Sequence, residues 1–247
     1  YRDDLLEYDK EKLVTTFRMT TKMQRTSDEY GITIIDLLEH NEISHNEIKD
    51  AIISSVVPNV MHSLCSGMIK YFGIQPMVVE PGVKTGIRIT SENPAQIGAD
   101  RIVDAVGAYE LYGGPVVVID YGTATTYDFI NGNGDFFAGV TSPGIRISAK
   151  ALWEDAAKLP EIEIKKPSTI LARETISSMQ AGLIFGQIGQ TEYIVKNMIK
   201  ESGLKDVKVV ATGGLGKIIA NETKYIQYYN PTLTLEGMRL IYAKQKR

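Results

Sequence analysis

At 247 residues with 43% hydrophobic content, the chain can bury one large core or two modest ones and lies far outside the composition of disordered proteins. Its 27 basic and 30 acidic residues leave a formal charge of -3 with no basic block, so it lacks the electrostatic footprint of a nucleic-acid binder and points to small-molecule partners. A single cysteine, Cys65, excludes an internal disulfide, and no apolar run approaches the ~20 residues that span a bilayer; a cytoplasmic protein with no membrane partner is expected.

In chain order, alternation from Leu13 to Arg18 predicts a strand, and Thr26-Ser27-Asp28-Glu29 caps a helix whose apolar face is Ile32, Ile35, Leu37 and Leu38. The β-branched run Ala51 to Val57 stops at Pro58, a helix follows from Val60 to Phe72 with Gly73 as terminator, and Pro76 to Val79 reads as a buried strand. Gly86 to Thr90 is a short strand before a helix from Asp100 to Leu111 that ends at Gly113-Gly114. Val116 to Ile119 then runs as a buried strand into Asp120-Tyr121-Gly122-Thr123-Ala124-Thr125-Thr126, and a second turn at Asn131 to Gly134 makes a β-meander. Ser142-Pro143-Gly144 introduces the next helix. Ile176 to Ile199 is a long helix whose small residues Ala181, Gly182, Gly186 and Gly189 mark a packing or dimer face; a strand from Val207 to Val210 and helices from Leu215 and Thr232 close the chain. Strands alternating with helices predict an α/β fold with parallel segments.

Three stretches carry chemistry. Asp120 ends a buried strand before a glycine turn, so backbone N–H groups and the hydroxyls of Thr123, Thr125 and Thr126 can surround phosphate oxygens while Asp120 holds a hard cation. A Thr-rich hairpin whose Asp forms only an Asx turn explains the same residues equally well. Ala211-Thr212-Gly213-Gly214, at a strand-to-helix junction, lets a flat nucleoside lie against backbone, although a plain tight turn is the better reading of a lone Gly-Gly. Gly98-Ala99-Asp100-Arg101 opens a helix. On bare spacing Asp100 is a capping residue, with proton acceptance from a substrate hydroxyl as its functional alternative. Asp104, one turn on, is expected on a solvated face, and the tail Lys244 to Arg247 as a solvated end.

Taken in order, Glu92-Asn93-Pro94, Gly98-Ala99-Asp100-Arg101, Asp120-Tyr121-Gly122-Thr123-Ala124-Thr125, Ser142-Pro143-Gly144-Ile145, Met179-Gln180-Ala181-Gly182 and Ala211-Thr212-Gly213-Gly214 resemble the type III pantothenate kinases along essentially the whole chain. The resemblance implies two ribonuclease-H-like (actin-like ATPase) lobes with mixed sheets flanked by helices, at 1–112 and 113–247. It implies ATP-dependent phosphorylation of the primary hydroxyl of pantothenate to 4'-phosphopantothenate, the first step of coenzyme A biosynthesis, by a homodimer. By the same resemblance Asp100 is the general base. Gly98, Ala99, Asp100, Arg101 and Thr175 bind pantothenate, with Thr175 contributed across the dimer interface. Gly122, Thr123, Gly213 and Gly214 bind ATP, and Asp120 binds a monovalent cation, K+ or NH4+, with Mg2+ accompanying the nucleotide.

Two departures from the pattern stand out. Family members open with a hairpin carrying Asp-x-Gly-Asn-Thr, which this sequence does not contain, so the chain is expected to be the greater part of a longer one. Ser91 stands where an aromatic substrate contact is common. The competing readings are a kinase for another small hydroxylated metabolite and a non-catalytic regulatory protein on the same fold.

Overall fold

The computed structural model describes residues 2–9, 12–20, 25–55, 57–80 and 82–246. The chain opens with strands β1 (Arg2–Asp9) and β2 (Lys12–Thr20), helix α1 (Ser27–Glu39), strand β3 (Ile52–Ile53), helix α2 (Pro58–Phe72) and strands β4 (Met77–Val78) and β5 (Arg88–Ile89). Helix α3 (Ala99–Tyr112) precedes the meander β6 (Val116–Tyr121), β7 (Ala124–Ile130) and β8 (Asp135–Pro143). Helices α4 (Ile145–Asp155) and α5 (Thr175–Ser202), strand β9 (Lys208–Thr212), helix α6 (Gly216–Ala220), strand β10 (Tyr228–Tyr229) and helix α7 (Leu233–Gln245) complete it. Two compact units result. One takes the chain up to Thr85, Ile97–Val103 and the chain from Met238 onward; the other takes Gly86–Gln96 and Asp104–Gly237.

In the first unit β1 and β2 form an antiparallel hairpin, and β3 pairs in parallel with β4. The expected strand over Ala51 to Val57 is ladder-paired only at Ile52–Ile53, and Val56 lies outside the described residues. Helix α1 starts where the capping signature put it: the Thr26 hydroxyl accepts from the Glu29 amide at 3.2 Å, and the Glu29 carboxylate accepts from the Thr26 amide at 2.7 Å. Two glycines set its approach to α2, because a Cβ on Gly31 would run into the Tyr71 ring and one on Gly67 would sit 2.8 Å from the Ser27 carbonyl oxygen. Ile34, Leu38 and Met68 close the interface. The C-terminal tail is tied down, with Lys246 3.2 Å from Asp50 and Gln245 donating to the Lys84 carbonyl at 2.7 Å; Arg247 lies outside the described residues. Both contacts are exposed and contribute little to stability.

The second unit is built on a six-stranded mixed sheet in the order β10-β9-β6-β7-β8-β5. β6 is parallel to β9 and antiparallel to β7, so the meander is grafted onto a parallel edge. Period-2 alternation sends Val117, Ile119, Tyr121, Tyr127, Phe129, Val209 and Ala211 to one face, where Ile184 and Val195 of α5 and Ile219 of α6 cover them. The opposite face buries Val116, Val118, Ile130 and Val210. A central strand buried on both faces reads as an unbroken apolar run, which is what Val116 to Ile119 shows. Each large side chain fully buried here contributes about 1.5–3 kcal/mol. The expected turn at Ser142-Pro143 is instead the end of β8, and Gly144 alone precedes α4.

Candidate active site

The β6–β7 hairpin puts Asp120 at the exit of a buried strand. Its register partners are Thr126 on β7 and Thr212 on β9, and Thr126 is in turn opposite Thr141 on β8. Directly opposed residues share a face, so Thr212, Asp120, Thr126 and Thr141 form one row of side-chain oxygens across four strands. Two glycines frame the carboxylate. A Cβ on Gly122 would lie 2.8 Å from Asp120 Oδ2, and one on Gly213, whose φ is +91°, would lie 2.6 Å from Asp120 Oδ1 and from the Tyr121 backbone. The phosphate hairpin and the Gly-Gly turn, far apart in sequence, therefore meet at one carboxylate. Gly144 closes the hairpin from a third side, because any side chain there would strike the Thr123 and Gly122 carbonyls.

Alternation also divides the threonines. Thr123 is exposed at the tip and Thr126 lies on the Asp120 face, but Thr125 pairs with Tyr121 on the opposite face and is fully buried. The expectation that Thr125 reaches phosphate is thus corrected; its Oγ1 has no hydrogen-bond partner among the described residues.

Behind the hairpin lies a buried polar network. The Thr191 hydroxyl on α5 is 2.9 Å from the Tyr121 hydroxyl and 3.2 Å from that of Tyr127; Gln187 Nε2 donates to the Tyr127 hydroxyl at 3.1 Å and to Gln190 Oε1 at 2.9 Å. Ser142 donates to the same Gln190 oxygen at 3.3 Å. Burial pushes the Tyr121 hydroxyl well above the ordinary tyrosine range and raises that of Tyr127 as well, so both remain protonated at neutral pH.

Gly98 and Asp100 stand at the start of α3. The Gly98 carbonyl accepts from Ile102 N–H at 3.3 Å, and Asp100 Oδ1 accepts from the Arg101 amide at 2.9 Å, which fixes the carboxylate at the helix N-terminus. Ala99, Asp100 and Arg101 are half-buried, leaving the carboxylate partly accessible. Asp104 is not on a solvated face: it is only 3% exposed, in the same turn as the fully buried Val103, Ala105 and Val106. That run is covered on more than one side, which a single amphipathic stripe does not anticipate. Thr175 is exposed at the first position of α5 and lines a cavity of about 530 Å³ with Leu152, Leu159, Arg173, Met179 and Gly182.

Thr126, which the sequence places in the same hairpin as a phosphate ligand, stands directly beside Asp120, whereas Thr212 enters the sequence reading only as part of the Gly-Gly turn. Nothing in the local sequence signals Thr212 as a neighbour of Asp120, because its place depends on the β6–β9 pairing. Among the described residues no group of three or more His, Cys, Asp or Glu side chains could hold a metal ion.

A family model of the type III pantothenate kinases matches residues 6–197. A type III pantothenate kinase of Agathobacter rectalis is 65% identical over 240 residues, covering 97% of this chain and 92% of that one. Two solved structures share the fold at low identity. A protein described as a Baf family transcriptional activator from Campylobacter jejuni superposes with a TM-score of 0.57 at 20% identity, covering 94% of this chain and 91% of its own. The ethanolamine utilization protein EutJ from Carboxydothermus hydrogenoformans gives 0.53 at 17%, covering 97% and 86%. With the family model spanning most of its length and a relative nearly two-thirds identical along almost all of it, the chain belongs to the type III pantothenate kinase family.

Proposed function

We propose that in this chain the family's reaction is carried by Asp100 as general base, by Gly98, Ala99, Arg101 and Thr175 as the pantothenate site, and by Gly122, Thr123, Gly213 and Gly214 as the ATP site, with Asp120 holding a monovalent cation. The reaction is ATP-dependent phosphorylation of pantothenate, the first step of coenzyme A biosynthesis. The observation that carries the assignment is the seating of Asp120 between Gly122 and Gly213, where neither glycine could bear a side chain without striking the carboxylate.

A carboxylate is far too weak a base to pre-form an alkoxide from an alcohol. In a loose phosphoryl-transfer transition state it need only accept the hydroxyl proton as bonding advances, which is worth ~10²–10⁴-fold. The Arg101 amide holds Asp100 Oδ1, leaving Oδ2 for that proton. The Gly122 N–H is spent within the hairpin on the Ala124 carbonyl at 3.1 Å, so Gly122 contributes close backbone approach while the exposed Thr123 hydroxyl orients phosphate oxygens. With one carboxylate flanked by the hydroxyls of Thr126 and Thr212, the donor set is all oxygen and singly charged, which suits K+ or NH4+ better than a dehydrated divalent ion. When bound there, such a cation, with Mg2+ on the nucleotide, supplies positive charge against the γ-phosphoryl oxygens.

The enzyme works as a cytoplasmic homodimer. Support for the dimer is α5, whose Gly182, Gly186 and Gly189 face open space and whose Tyr193 is 72% exposed, together with Leu171 in the segment before it, which is 80% exposed. Titration with potassium or ammonium chloride tests the cation site: activity rises strongly in the wild type and not in Asp120→Ala. Equal turnover in sodium, potassium and cation-depleted buffer would remove Asp120 from that role.

A further inference from the structure

The Gly213-Gly214 turn is held from beneath by one side chain. Tyr229 stands on β10, where its backbone is paired with Ala211 and flanked by hydrogen bonds from Gln227 N–H to the Val209 carbonyl at 3.1 Å and from Asn230 N–H to the Ala211 carbonyl at 2.8 Å. Its position is therefore fixed to the same strand that ends in Thr212-Gly213. From there its hydroxyl donates to the Gly213 carbonyl at 3.0 Å, and the same oxygen accepts the Gly216 amide at 3.0 Å. Both lone-pair directions of that carbonyl are used. The ring fills the space beside Gly216, where a Cβ would lie 2.9 Å from Tyr229 Cε2 and 3.0 Å from Tyr121 Cδ2. Two aromatic rings thus wedge the turn.

In a trans peptide the C=O and the following N–H point in opposite directions. The only cis bond among the described residues is Gly114–Pro115, so with the Gly213 oxygen pinned toward Tyr229 and Gly216, the Gly214 N–H is aimed the other way. Gly214 is exposed, and a Cβ there would meet nothing within 4 Å. A side chain is absent from a place where the fold has room for one, beside an amide whose direction is fixed.

We infer that Tyr229 is a positioning residue for the nucleotide: by pinning the Gly213 carbonyl it presents the Gly214 N–H as a hydrogen-bond donor to ATP. This rests on the reading of Gly213-Gly214 as part of the ATP site. Burial pushes the Tyr229 hydroxyl above the ordinary tyrosine range, so it stays a donor through neutral and mildly alkaline pH.

The test is steady-state kinetics of the full-length enzyme with ATP and pantothenate varied separately, on Tyr229→Phe and Gly214→Ala, with melting temperatures as the fold control. Phe keeps the ring wedge and removes only the hydroxyl; Ala at position 214 enters open space. Losing one oriented hydrogen bond raises KM for ATP by about two- to ten-fold in Tyr229→Phe, with kcat and KM for pantothenate changed less than two-fold. Gly214→Ala raises KM for ATP as well. An unchanged KM for ATP in Tyr229→Phe alongside a raised one in Gly214→Ala overturns the role of Tyr229 and leaves the ATP site standing. Normal kinetics in both variants overturns the ATP-site reading itself. Should Tyr229→Phe melt far below the wild type with both KM values raised together, Tyr229 serves only the fold and the inference fails.

Discussion

At the residue scale, Asp100 and Thr125 each make a separate claim. Asp100, the proposed general base, has one carboxylate oxygen held by the Arg101 amide at a helix N-terminus. Asp100→Asn preserves that hydrogen bond through the amide oxygen but not the basicity, so kcat falls by about 10²–10⁴-fold while the melting temperature holds. Near-wild-type turnover in this variant would remove Asp100 from proton transfer. Thr125 makes the opposite case. Its hydroxyl is buried without a partner, which costs about 1–3 kcal/mol, so the isosteric Thr125→Val leaves activity intact and raises or preserves stability in a denaturant titration. A clear loss of activity in Thr125→Val would show that the alternation across β6 and β7 had been misassigned.

At the scale of elements, the fold was legible where one physical signal dominated. The capping box of α1, the Gly73 terminator of α2 and the unbroken apolar run of β6 all form where the sequence puts them. Legibility failed where partners come from distant strands. The hairpin β1–β2 gives no sign of its first strand, and β3 keeps only two paired residues of a longer β-branched run. Of the candidate site, the sequence showed the hairpin and the Gly-Gly turn as separate pieces. Their meeting at Asp120 depends on β9 lying parallel beside β6, a pairing between segments about ninety residues apart that no local pattern encodes. The polar network behind the hairpin was hidden for the same reason: Thr191 and Gln187 sit inside a helix read only for its small residues. That network ties α5 to both strands of the hairpin. Thr191→Val strips a partner from two buried tyrosine hydroxyls, and thermal unfolding should show a melting temperature lower by roughly 2–10 °C. An unchanged melting temperature would mean that the hydroxyl contacts contribute nothing net.

At the scale of the whole molecule, the charge balance sets the chemistry that the site must perform. A chain of formal charge -3 offers no broad positive field to a polyphosphate. Under the proposed assignment phosphate is captured locally, by amides at a glycine turn, by hydroxyls and by a cation on a carboxylate, and the row of Asp120 with Thr126 and Thr212 puts oxygen ligands for such a cation on one sheet face. In the proposed assignment cation dependence and substrate choice therefore belong to different parts of the chain, the hairpin to the phosphoryl donor and the segment from Gly98 to Arg101 to the acceptor. The most direct measurement is a coupled ADP-release assay on the full-length enzyme with ATP and a panel of hydroxylated metabolites, with the product of each reaction identified by mass spectrometry. The predicted result is potassium-stimulated formation of 4'-phosphopantothenate with pantothenate preferred over every other acceptor; efficient phosphorylation of a different alcohol with none of pantothenate would contradict it.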